Sequence, residues 1–427
     1  MYFENAIRKI KISFGNIIEW YDYSLYGYFA VIISNLFFPN DNKFVSMLLT
    51  FGTFAAGYIA RPLGSIFFGY LGDKKGRHFA MNLAVICMAV PTIIMAIVPT
   101  YETIGIFAPI ILIVIRIFQG ISAGGQFGNL MVIASEDKKL RYAGLNVSIA
   151  FSTSILGFLL ASGVSYLCIN FLPSTWESFV WRIPFALGAI LIIIYLFTKE
   201  KDDGSVLSSD SKSPLTYLVN SYKRHITYMT LLAFITLTIY YISITYMVTY
   251  MVDILGLSLS EVLLINTISI IFMFLTTPLF GFLSDKFGRK KLLLSSYILS
   301  MIFLPLMMHM LNGNTFLTTL LILIIFSILV GMIQGAANPC YTEIFPKHIR
   351  ASGTSIVYGF GSTLSGFAPL IATFITGVFP AKLGMTIFIL ILCLLGIIVT
   401  YLLHDKQMAV RRKNDLSFNL SIKEQYS

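Results

Sequence analysis

Apolar runs alternate with short polar breaks along almost the whole chain. A helix needs about 20 apolar residues to cross the hydrocarbon layer of a bilayer. Twelve runs meet or approach that length, near residues 14–38, 45–71, 79–98, 106–134, 142–168, 183–199, 225–250, 259–284, 291–311, 316–338, 354–378 and 382–404. The pattern predicts an all-α integral membrane protein with twelve transmembrane helices. One polar break occurs twice. Gly69-Tyr-Leu-Gly-Asp-Lys-Lys-Gly-Arg-His78 returns 212 positions later, close to half the chain, as Gly281-Phe-Leu-Ser-Asp-Lys-Phe-Gly-Arg-Lys290. Each copy joins two apolar runs, so two six-helix pseudo-symmetric halves are expected. The expected division is a lead over 1–13, one half over 14–199, a polar linker over 200–224, a second half over 225–404 and a basic tail over 405–427.

Composition sharpens this. Hydrophobic residues make up 57% of the chain and charged residues 12%, which excludes a soluble globular protein. The net charge of +10 raises the question of nucleic acid, and its placement answers it. Of 30 Lys and Arg, 25 fall in segments that share one side with both termini, three (Lys43, Arg182, Lys382) fall on the other side, and two (Arg61, Arg116) fall inside helices. This is the positive-inside bias, with both termini cytoplasmic and no nucleic-acid partner. The tail residues Arg411-Arg-Lys413 obey it too. Glu19 and Asp22 lie in the first apolar run, which argues against a cleavable signal peptide. Cys87, Cys168, Cys340 and Cys393 are scattered and have neither disulfide-framework nor metal spacing. The five histidines fall at or near helix ends. No metal cluster, nucleophile motif or His pair is present, so neither an enzyme nor a cofactor is expected.

The chemistry concentrates in a few spans. Gly15–Tyr28 carries Glu19 and Asp22 among Trp20, Tyr21, Tyr23, Tyr26 and Tyr28. Asp22 lies 11 residues past Lys11, or roughly 16 Å of helix rise. Arg61 lies 12 residues before Asp73, or roughly 18 Å from the same surface. The two therefore sit at matching depth, and a pair between Asp22 and Arg61 is expected. It either fixes packing or is rearranged by a solute or a proton. Arg116 is mid-helix and needs an anion or a wet cavity. Gly120, Gly124, Gly125 and Gly128 on the same helix read as close-packing positions. Asp73 and Asp285 each end an apolar run, where a carboxylate can face a neighbouring helix N-terminus. Glu136 and Asp137 are expected partners for Arg77. Tyr240, Tyr241, Tyr246 and Tyr250 form either an interfacial belt or a cavity wall, and their distance from His225 favours the wall. The second half has no mid-helix charge, and its polar candidates are Asn266, Gln334 and Asn338.

The pattern Gly-x-Leu-x-Asp-x-x-Gly-Arg-Lys/Arg resembles the loop between helices 2 and 3 of the major facilitator superfamily, with His78 in the last place of the first copy. The resemblance implies the major facilitator fold and a conformational latch built from Asp73, Arg77, Glu136, Asp285 and Arg289. At Gly15-Asn16, Glu19-Trp20-Tyr-Asp22, Arg61-Pro-Leu-Gly64, Gln119-Gly120, Gly124-Gly125 and Trp181-Arg-Ile-Pro-Phe185 the chain is similar to the metabolite:proton symporter branch, most of all its proline/betaine transporters. That implies a multi-pass protein of a bacterial inner membrane importing a small organic solute with protons by alternating access. Where the branch usually has Gly-Gly-Glu, this chain has Gly124-Gly-Gln126. Proton coupling would then rest on Asp22 or Glu19, and an uncoupled facilitator or exchanger is the alternative. Two acids and two arginines (Arg61, Arg116) suit a zwitterion or a small carboxylate. Trp20, Tyr23, Tyr26, Tyr240 and Tyr241 could face a quaternary ammonium. Proline or betaine is therefore the expected solute, with a dicarboxylate or other organic acid as the alternative.

Overall fold

The computed structural model describes residues 2–136, 142–172, 179–198, 214–311, 315–346 and 349–403. Within these, the side chains of 2–12, 72–74, 77–78, 125–126, 136, 196, 198, 214–217 and 219–220 lie outside the description. Every regular element among the described residues is helical.

Twelve membrane crossings account for the helices, and four of the crossings are broken. The first consists of α1 (Tyr2–Tyr28) and α2 (Ala30–Phe37), the second of α3 (Lys43–Ile59) and α4 (Arg61–Lys75). Single helices follow: α5 (Arg77–Ile97), the short surface turn α6 (Tyr101–Ile104), then α7 (Phe107–Glu136), α8 (Ala143–Phe171) and α9 (Arg182–Thr198). The seventh crossing joins α10 (Pro214–Tyr241), a π-helical turn over Ile242–Tyr246 and α11 (Met247–Asp253). Next come α12 (Leu259–Phe287), α13 (Arg289–Met310) and α14 (Phe316–Glu343). The eleventh crossing is α15 (Arg350–Ser365) with α16 (Ala368–Val378), and the last is α17 (Ala381–Leu402). Among the described residues, ten continuous stretches are long and apolar enough to span a membrane. The shorter α9 and the acid-bearing first crossing complete the twelve. Helix α10 starts at Pro214, inside the stretch read as polar linker, and kinks at Tyr222.

Proline explains the break in the second crossing and ties the halves together. Pro62 has no N–H to give the Tyr58 carbonyl four residues back. The chain breaks at Ala60, whose own N–H turns back to the Tyr58 carbonyl, and Thr363 Oγ1 of α15 donates to that carbonyl as well at 2.8 Å. Pro339 inside α14 frees the Gly335 carbonyl in the same way, and Ser148 Oγ of α8 donates to it at 3.1 Å. Each hydrogen bond runs from one half to the other. A buried carbonyl with no donor would be costly in a membrane, so each proline creates an acceptor that the opposite half satisfies.

Glycine sets the spacing inside the first half. A Cβ at Gly64 would strike the Ile121 carbonyl, one at Gly120 the Gly57 carbonyl, and one at Gly124 the Arg61 carbonyl. The second crossing and α7 thus meet backbone to backbone. Gly331 and Gly335 of α14 approach Thr276 and Thr277 of α12 similarly in the second half. The halves face each other along α8 against α12, and along α3 and α4 against α15 and α16.

Gly120→Val should destabilise the protein by about 1–3 kcal/mol or block assembly, because backbone cannot yield as a side chain can. Gly52→Ala, where an added Cβ meets nothing within 4 Å, should be neutral or slightly stabilising. Melting of the two variants in detergent separates these outcomes, and equal melting would show that the α7 seam has slack.

Candidate functional site

The central cluster gathers around α1. Asn16 fixes the start of the aromatic row. Its Nδ2 donates to Thr153 Oγ1 at 2.7 Å and to Ser154 Oγ at 2.9 Å on α8, while its Oδ1 accepts from Trp20 Nε1 at 3.1 Å. One turn on, Glu19, Asp22, Arg61 and Arg116 are 1%, 0%, 2% and 0% exposed. Four ionisable side chains are therefore sealed from both membrane faces.

The arginines rest on aromatic rings. The Arg61 guanidinium carbon lies 4.0 Å from the Tyr58 ring centre, 4.5 Å from Tyr23 and 4.9 Å from Trp20. That of Arg116 lies 4.0 Å from Tyr26 and 5.4 Å from Tyr23. Tyr23 is thus shared by both cations. Tyr26 is held flat for this purpose, its hydroxyl donating to the Thr50 carbonyl at 3.0 Å. The second half supplies Tyr240 and Tyr241, both buried. Tyr241 stands 5.3 Å from Tyr58 and 6.3 Å from Trp20 between ring centres. Their burial excludes the interfacial-belt reading. The π-turn follows directly, and such turns recur at functional sites.

The charge pairing differs from what depth along the chain suggested. Glu19 takes Arg61 as its electrostatic partner, and Asp22 takes Arg116. Helix rise fixes height in the membrane, whereas rotation about α1 decides which arginine each acid meets. No salt bridge joins the four among the described residues. Both Glu19 oxygens, Nε and Nη2 of Arg61, and all three Arg116 nitrogens have no hydrogen-bond partner in the protein. Asp22 Oδ2 accepts from Gln119 Nε2 at 2.5 Å. The side chain of Gln126 lies outside the described residues.

A second constellation closes one face. The Asp285 carboxylate accepts from the N–H groups of Gly144 and Leu145, both at 3.0 Å, and so caps the N-terminus of α8 in the opposite half. Arg289 reaches Asp285 at 2.5 Å and Glu343 at 2.9 Å. The Asp73, Arg77 and Glu136 side chains, expected as the first-half counterpart, lie outside the described residues, as does Asp137. On the same face Gly69 and Gly128 meet Ser355. On the opposite face Lys43 and Asp253 join the halves at 2.7 Å, and Gly377 of α16 meets the Phe44 ring. With contacts on both faces, the arrangement is occluded.

Sequence reasoning missed Glu343, Tyr58 and the role of Gln119. Glu343 was available from the repeat, since Glu136 ends α7 as Glu343 ends α14. Tyr58 lies one turn before Arg61 on the same crossing, a placement that could have suggested it as the ring beneath that cation.

Comparison with known proteins now decides the family. A Major Facilitator Superfamily profile matches residues 229–421, and a sugar (and other) transporter profile matches residues 9–200. The citrate-proton symporter of Klebsiella pneumoniae is 30% identical over 373 residues, 85% of this chain and 84% of that protein. The chain belongs to the major facilitator superfamily. This facilitator is also 29% identical to the alpha-ketoglutarate permease of Escherichia coli K12, over 94% of both chains. It is 28% identical to the proline/betaine transporter of the same strain, over 90% of this chain and 81% of the relative. Among solved structures, the proton:xylose symporter XylE matches with a TM-score of 0.72 at 18% identity, covering 92% of this chain and 94% of that one. At that identity the match speaks to the fold, which is the facilitator fold of two six-helix halves. The facilitator is a membrane transporter and not an enzyme.

Asp285→Ala removes the α8 cap and leaves Arg289 with Glu343 alone. A cysteine placed at Ser355, with the native cysteines replaced, should then react with a membrane-impermeant maleimide about 5–150-fold faster, as expected for a coupling of 1–3 kcal/mol. Unchanged labelling would show that the cap does not hold this face shut.

Proposed function

We propose that this facilitator imports a small organic acid together with protons, by alternating access around Glu19, Asp22, Arg61 and Arg116, across a bacterial inner membrane with both termini cytoplasmic. On this reading the Asp285 face is the cytoplasmic one, and Asp285, Arg289 and Glu343 form its latch, with Asp73, Arg77 and Glu136 as the first-half counterpart. One observation carries the substrate class. Arg116 is fully buried and none of its three nitrogens has a protein acceptor. A guanidinium has five donors in a planar fork that matches a carboxylate. Holding that fork unpaired inside a membrane is costly, and a carboxylate ligand removes the cost.

The aromatic rings tilt the choice between the two substrate classes. Proline or betaine would need free ring faces for its ammonium group. The faces of Trp20, Tyr23, Tyr26 and Tyr58 are already taken by the two guanidinium groups. This supports an organic acid over a quaternary ammonium. Relatives named for citrate and alpha-ketoglutarate fit the acid, and relatives named for proline/betaine fit the zwitterion, so the rings and not the relatives carry this choice. The zwitterion remains as a second reading because Glu19 has two unpartnered oxygens and Tyr240 and Tyr241 stand nearby. On this reading Glu19 and Asp22 carry the proton, since they are the acids buried beside the two arginines.

Uptake of labelled citrate, 2-oxoglutarate, proline and glycine betaine into proteoliposomes, with and without an inward proton gradient, tests the proposal. An acid should accumulate above equilibrium only with the gradient. Asp22→Asn should abolish that accumulation while leaving counterflow. Arg116→Lys should weaken the acid's apparent affinity by about tenfold or more, the worth of roughly 1.4 kcal/mol, because an ammonium cannot form the bidentate pair. Uptake of proline or betaine alone would reject the organic-acid reading. Equilibration indifferent to the gradient would make the protein an uncoupled facilitator or exchanger.

A further inference from the structure

Asp22 and Arg116 are electrostatic partners in an apolar interior, yet they do not form a salt bridge. Asp22 is instead bonded by Gln119, which follows Arg116 by one turn on α7 and so shares its face. Its Nε2 donates to Asp22 Oδ2 at 2.5 Å. Its Oε1 has no partner, and the residue is fully buried. Thr92 of α5 also faces this carboxylate. Arg116 meanwhile lies 4.0 Å from the Tyr26 ring centre, and that ring is pinned by its own hydrogen bond to Thr50.

We infer that Gln119 is a positioning residue that holds one oxygen of Asp22 with a neutral amide while the other, Oδ1, has no partner, so that the aspartate does not close on Arg116 and the guanidinium stays free for a substrate carboxylate. An amide is suited to this task. It donates a hydrogen bond to the carboxylate but brings no charge that would compete with the arginine for a ligand. Without it, two opposite charges buried side by side would pair directly, and a substrate would have to break that pair to bind. The Tyr26 ring completes the device by giving Arg116 a resting place that is attractive but weaker than a carboxylate. The inference rests on the organic-acid reading for its purpose, although its structural core does not need a substrate.

A double-mutant cycle tests that core in the purified full-length protein. The melting-temperature changes of Asp22→Asn and Arg116→Met are measured singly and together, first with Gln119 and then in a Gln119→Met background. With Gln119 present the two changes should show only the coupling of two charges held apart. With methionine there, which has similar length and no donor, the coupling should grow by several degrees, because the acid and the arginine now pair. If Gln119→Met does not fold, Gln119→Asn, whose amide is one carbon short, serves the same cycle. Equal coupling in both backgrounds would overturn the inference, whether or not any solute is known. In proteoliposomes, Gln119→Met should raise the apparent KM for counterflow of 2-oxoglutarate or citrate, the mode that Asp22→Asn leaves intact, by about tenfold at little change in maximal rate. The change should vanish in the Asp22→Asn background. A merely structural glutamine would lower the maximal rate in both backgrounds alike. Should the wild type take up neither acid, the functional reading fails while the melting cycle still decides the role of Gln119.

Discussion

Two guanidinium groups held inside a membrane protein on aromatic faces constrain almost everything else in this structure. A charge at that depth is expensive, and Arg61 and Arg116 meet the expense with four rings and two carboxylates that do not close on them, rather than with closed ion pairs. The rings must then be oriented, which is why Asn16 anchors Trp20 to α8 and Thr50 anchors Tyr26. The helices that carry the arginines must also approach closely, which is why Gly57, Gly64, Gly120 and Gly124 line the seam between α3, α4 and α7. Small residues at that seam and large ones around the cations are two sides of one packing solution.

The two faces of the occluded arrangement are closed by different physics. The Asp285 face uses a buried network in which a carboxylate caps a helix of the opposite half and is itself held by an arginine. The Lys43 face uses an ion pair whose lysine is 62% exposed, together with ring and glycine contacts. An exposed pair is weak and screened by salt, whereas a capped and desolvated one is directional. The closures are therefore unequal, with the stronger one on the face bearing the repeated loop.

Much of the architecture could be read from the chain because membrane constraints are written in long apolar runs and in the repeat around Asp73 and Asp285. The residue types of the central cluster could be read too, since Glu19, Asp22, Arg61 and Arg116 are charges where charges are costly. Their partners could not. Rise along a helix gave Asp22 and Arg61 the same depth, but the azimuth of each side chain comes from tertiary packing, which turned Asp22 toward Arg116 and Gln119. The π-turn after Tyr241 was equally hidden, because Ile242-Ser-Ile-Thr-Tyr246 has the composition of any apolar helix. Glu343 was hidden for a different reason: it ends α14, 54 residues beyond the Arg289 of the repeated loop that it holds.

The prolines have a consequence for hydration. Tyr58 and Gly335 offer carbonyls that have lost the usual donor four residues on, and hydroxyls of the opposite half occupy them now. When the halves part, neither carbonyl has that donor to return to. A dry gap would leave them bare in a medium that punishes unpaired backbone. Separation must therefore be accompanied by water, and the same two carbonyls that hold the halves together become the first sites that water occupies. Opening and wetting are, for this protein, one event.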